Sequence, residues 1–156
     1  MTTLFGIFVI FFIAFTFVRD TVDNSIHLGF LKKKTEEYQH PSDSQLKRRI
    51  SMVANFAPAS NQCGFIVGDV RNTKLSPKEI YDFYRPILTT PNYVEEQPYH
   101  EVDLFILKDE KDLKDISRLS PDLYNKIDHI ITGDRNSYLL VSAEIGYAPN
   151  NDPRCH

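Results

Sequence analysis

The stretch Leu4–Asp20, LFGIFVIFFIAFTFVRD, decides how the rest of the chain is read. No charged side chain occurs from Met1 to Val18, and six of the eleven phenylalanines fall in the first 17 residues. Eighteen helical residues span about 27 Å, against a hydrocarbon core of about 30 Å. Arg19 ends the run and can snorkel to lipid headgroups. A helix apolar on every side is a poor match for a surface helix of a globular core. A cleaved secretion signal would carry a basic start and small residues before its cut site. Met1-Thr2-Thr3 has no charged side chain, and Ala14 and Thr16 lie inside the run. The expectation is an uncleaved single-pass anchor over residues 1–18 in contact with the lipid bilayer, a juxtamembrane helix or linker over 19–41, and a globular domain over 42–156.

The remaining chain carries the whole net charge of −3. A mildly acidic domain has no electrostatic reason to bind nucleic acid, where Lys and Arg contacts to phosphate dominate. The side of the membrane is argued in two directions. Arg19 and Lys32-Lys33-Lys34 follow the run, which favours a cytoplasmic domain. Cys63 and Cys155, the two cysteines of the chain, favour the opposite side if they form a disulfide. That bond would close a loop of about 93 residues, worth roughly 4–5 kcal/mol in the chain-entropy model, and would pin the tail to the sheet. The reading leans to the disulfide and an extracytoplasmic domain.

Past the anchor, residues 19–38 read as its helical continuation, with Val22, Ile26, Phe30 and Lys33 on one stripe. HPSDSQLKRRISMVANFA, residues 40–57, reads as a second helix. Ser42 and Gln45 suit a capping box, and Leu46, Ile50, Val53 and Ala57 form one apolar face. Lys47-Arg48-Arg49 then falls on a solvated surface. CGFIVGDVR, from Cys63, is strand-like; Gly64 and Gly68 lack the G-K-[ST] of a phosphate loop. In LSPKEIYDFYRP, Ser76 is the N-cap, Pro77 occupies N1, Glu79 closes a capping box, and Leu75 with Ile80 forms a staple. YHEVDLFILKD, from Tyr99, reads as a central strand. Two short helices follow, capped by Asp109 and Ser120, and residues 128–147 read as a hairpin around Gly133–Asn136. The predicted class is α+β, an N-terminal transmembrane helix followed by helices packed on one face of a mostly antiparallel sheet.

Local chemistry is sparse. The five histidines form no metal-binding spacing, and two cysteines without spaced histidines make no zinc set, so no metal and no cofactor are expected. Glu101 and Asp103 sit at i, i+2 on a strand, which puts both carboxylates on one face about 7 Å apart, a spacing usable for acid–base work. His129 is a further possible base. Asp128 beside it points to the other strand face and cannot orient it. Asp134, Arg135 and Asn136 at the hairpin tip are the candidate binding residues. In layout alone the chain resembles pilin-like proteins, which join an apolar N-terminal helix to an α+β head. It has no basic leader and no glutamate near Gly6, and the resemblance assigns no residue a role. The functional expectation is a membrane-tethered, non-enzymatic domain that binds or helps assemble another membrane or envelope protein. The alternative is a tethered hydrolase using Glu101 and Asp103.

Overall fold

The computed structural model describes residues 2–55, 63–88, 99–127, 137–148, 152 and 154. Helix α1 (Thr2–Glu36) is followed by strand β1 (Gln45–Asn55), β2 (Cys63–Asn72), α2 (Pro77–Tyr84), β3 (Tyr99–Ile106), α3 (Glu110–Leu119), α4 (Pro121–Ile127) and β4 (Ser137–Ala148). The class is α+β. Four strands form one antiparallel sheet in the order β1-β2-β4-β3.

Within the expected helix over 40–57, Gln45–Asn55 form a strand. Gln, Leu, Lys, Arg, Met and Ala are good helix formers, but the tertiary surroundings override that preference. Ile50 and Met52 enter one core cluster while Val53 enters the cluster on the opposite sheet face, so burial alternates at period two. The ladder Arg49↔Asp69 through Asn55↔Cys63 fixes the register, with an irregularity between Leu46 and Arg48.

The strand from Tyr99 lies at an edge, not in the centre. Its continuous apolarity reflects helices on both sheet faces rather than a strand on each side. The expected C-terminal hairpin is also replaced. β4 fills both its edges from Tyr138 to Ile145, against β2 and β3. Residues 128–136, with the predicted tip, lie outside the described residues.

Since β3 and β2 are each antiparallel to β4, they run parallel to each other, with α2 in the crossover and β4 between them. The helices therefore cover both faces, not one. One face packs Ile66, Val70, Leu139 and Val141 against Ile116 of α3 and Leu123 and Ile127 of α4. The other face packs Phe65 and Val67 under Leu28 and Leu31 of α1, and Val102, Leu104 and Leu140 under Ile80 and Tyr84 of α2.

The second half of α1 turns a different stripe inward than the sequence suggested. Asn24, Leu28, Leu31 and Thr35 are buried, whereas Val22, Ile26 and Phe30 are each at least half exposed. The buried stripe has helical spacing but polar ends. Asn24 donates to Asp152 at 2.8 Å, and the Thr35 hydroxyl donates to Leu31 O of its own helix. These bonds satisfy the Thr35 hydroxyl and the Asn24 Nδ2, while the buried Asn24 Oδ1 has no hydrogen-bond partner among the described residues.

Candidate functional site

Two polar clusters lie on the sheet face shared by α1 and α2. The larger centres on Asp69, a fully buried carboxylate of β2. Its cross-strand partner Arg49 donates Nε to Oδ1 at 2.7 Å and Nη2 to Oδ2 at 2.9 Å. Arg71 approaches the same carboxylate at 3.5 Å and His40 at 3.9 Å. Arg49 also donates Nη1 to Glu36 at the end of α1. His40 Nδ1 lies 2.8 Å from Tyr84 Oη, which lies 2.8 Å from Tyr138 Oη. Burial pushes the His40 pKa down, aided by Arg71, so the ring is neutral at pH 7. Burial pushes the Tyr84 hydroxyl up, and its bond to Tyr138 adds to this. A bidentate pair flanked by satisfied neighbours is a clamp holding α1, β1, β2 and α2 together.

The sequence reading placed Arg49 on a solvated surface. The signal it missed was Asp69 following the apolar run Phe65–Val67 of a strand, where a buried carboxylate requires a cationic partner.

In the second cluster, Ser142 Oγ lies 2.8 Å from His100 Nε2, and Tyr38 Oη is 3.4 Å from His100 and 3.5 Å from Ser142. The Ser–His distance suits a nucleophile and its base. Burial, with Lys34 nearby, lowers the His100 pKa. Yet Ser142 is fully buried, so its hydroxyl is closed to a substrate in this conformation.

Glu101 and Asp103 share the α3–α4 sheet face, as expected, and both are partly buried. Burial pushes Asp103 up to about 6, with Glu101 adding to the shift; burial also raises Glu101. A cleft of about 550 Å³ lies at the opposite edge of the sheet, beside Ser51, Met52 and Val53, and neither carboxylate lines it. His129, Asp134, Arg135, Asn136 and Cys155 lie outside the described residues. Cys63 begins β2, paired along the backbone with Asn55 and Ala148. The described part of the tail is held by α1: Asp152 is buried against Asn24, and Arg154 donates to Thr21 O at 3.0 Å. Burial alone would raise the Asp152 pKa, but bonds from Arg154 and Asn24 bring it down to about 2. Among the described residues, no group of three His, Cys, Asp or Glu side chains could hold a metal ion.

The first half of α1 presents apolar side chains in all directions. Ile10, Phe11, Phe12, Phe15 and Val18 are each more than 60% exposed and cover somewhat over half of the circumference; Val9, Ile13 and Phe17, less exposed, cover the rest. Among the described residues, no helix is long and apolar enough to cross a membrane; the side chains of residues 1–5 and 8 lie outside the description. No protein-family model, curated protein or solved structure matches the chain.

Proposed function

We propose that the chain is a membrane-tethered, non-enzymatic α+β module that binds or helps assemble another membrane or envelope protein. The observation that carries this reading is the exposed apolar surface of α1 between Ile7 and Val18. Contiguous apolar surface of this kind is rare on monomeric soluble proteins and marks contact with lipid or with another protein. Residues 1–18 are the proposed bilayer segment. Arg19, paired with Asp23 at 3.6 Å, stands at its end. Val22, Ile26 and Phe30 extend the exposed apolar surface beyond that segment, where a protein partner rather than lipid would meet it. The proposed side is extracytoplasmic, on the expectation of a Cys63–Cys155 bond. Thiol labelling of intact cells with and without reductant tests it: thiols that react only after reduction support it, and freely reactive cytosolic thiols oppose it. The membrane reading itself is tested by carbonate extraction of the full chain, which should leave it in the pellet.

A second reading, a tethered hydrolase, is favoured by one observation: Asp103, raised to about 6, shares a sheet face with Glu101. Raised carboxyl values are common at acid–base sites. Asp103→Asn that left every hydrolytic activity of the purified chain unchanged would remove this reading.

A further inference from the structure

The two edges of the sheet are built differently. At β3 the outer edge is closed by side chains. The Ile106 N–H donates to Asp112 Oδ2 at 2.6 Å, and the Tyr81 Oη, 3.2 Å from the same carboxylate oxygen, covers Leu104 O at 3.4 Å. An edge plugged in this way is protected from pairing with another strand. At β1, alternate residues direct N–H and C=O away from β2. Among the described residues, no strand and no side chain bonds to the outer edge from Ile50 to Val53.

The same edge forms the floor of the cleft of about 550 Å³. One wall is α1, through Leu28, with Arg154 of the tail held against the same helix; the other is α4, through Asp122, Asn125 and Lys126. The two helices belong to opposite faces of the sheet, so they flank a slot that continues its plane. We propose that this slot receives an extended segment of a partner protein, which adds beside β1 as a fifth strand. The proposal deepens the binding reading above and rests on it for the choice of occupant.

The occupant's chemistry follows from the walls. Side chains of an added strand alternate between the two faces. Those towards α1 meet Leu28 and Val53, beside Arg154, and should be mainly apolar; those towards α4 meet Asp122 and Lys126, beside Met52, and should be mainly charged. Antiparallel pairing of β1 with a second copy is disfavoured by direction. β1 runs back along α1: Arg49 pairs with Glu36, and Val53 clusters with Leu28. Eight helical residues rise about 12 Å and four strand residues about 13.6 Å, so the two elements lie side by side and antiparallel. A twofold that pairs two β1 strands antiparallel reverses α1 as well. Two chains tethered in one bilayer cannot adopt that arrangement.

The test uses the full chain in detergent and ten-residue peptides alternating Val with Glu or Lys. A matched series carries N-methyl groups on every second backbone nitrogen. The readout is amide hydrogen exchange of Ile50–Val53, with Leu104–Ile106 as the capped-edge control. The expected result is at least tenfold slower exchange in β1 with the unmethylated peptides, no slowing with the methylated series, and no change in β3. Equal slowing by both series would overturn the proposal, because no backbone ladder would then be involved. No slowing by either series at millimolar peptide would also overturn it. Slowing that appears on concentrating the protein alone would replace the partner with a second copy, which overturns the chosen occupant. Failure of the tether is separately visible, since it appears in membrane extraction and leaves the exchange readout intact.

Discussion

Replacing Asp69 by alanine should be the most damaging single change in the polar face of the head. The carboxylate is fully buried and accepts two bonds from Arg49, at 2.7 and 2.9 Å. Its removal leaves Arg49 and Arg71 without their shared anion in a half-dry environment. Breaking one side of a buried pair costs about 3–5 kcal/mol. Arg49 remains about a quarter exposed and keeps Glu36, so part of its charge can be rehydrated. We therefore expect about 3 kcal/mol, or roughly 10 °C in Tm for a domain of this size. The assay is thermal and chemical denaturation of the full chain in a mild detergent, run as a double-mutant cycle with Arg49→Ala. The two losses should fail to add, with a coupling of about 1.5 kcal/mol or more. A loss below about 1 kcal/mol, or simple additivity, would refute the clamp.

Other consequences concern the carboxylates. Asp103 is raised from its ordinary 3.8 to about 6, so the folded state holds its proton more tightly than the unfolded state. Stability should therefore fall as pH rises from about 4 through about 6, and Asp103→Asn should flatten that slope and stabilise the head at pH 7 by roughly 1–2 kcal/mol after solvent screening; destabilisation in the pH series would contradict this. Asp152 is lowered from 3.8 to about 2, so its contribution is present above about pH 4 and lost as pH falls towards 2. Asp152→Asn should cost about 2 kcal/mol of tail attachment at pH 7, read by faster hydrogen exchange around Arg154 and in α1 near Asn24; unchanged exchange would show that the tail is held by other contacts.

The sequence revealed the short helices best, because their signals are local. The capping box is present, with Ser76 N donating to Glu79 Oε2 at 2.8 Å and Glu79 N to Ser76 Oγ at 3.4 Å. Asp109 caps α3 and Ser120 bonds the N–H of Leu123, as the sequence suggested. Ile80 and Tyr84 are buried, while Phe83 and Ile87 from the same aromatic stripe are exposed. β1 was hidden because its helix-forming residues also permit an apolar face at helical spacing. Only pairing with β2 selects the alternate period. The buried stripe of α1 was hidden because Asn24 and Thr35 are polar, and nothing local announces that Asp152 accepts the Asn24 Nδ2. The Asp69 clamp joins residues from four elements, so no spacing rule could assemble it. Glu101 and Asp103 did fall on one face, because a two-residue step on a strand fixes that much without knowledge of the fold.

The account turns on what solvates the exposed apolar half of α1. Membranes from cells expressing the full chain, and a version lacking residues 2–18, should be washed with alkaline carbonate and sedimented. The full chain should stay with the pellet until detergent is added, and the truncated chain should leave it. Full-length protein in the detergent-free supernatant would contradict the tether.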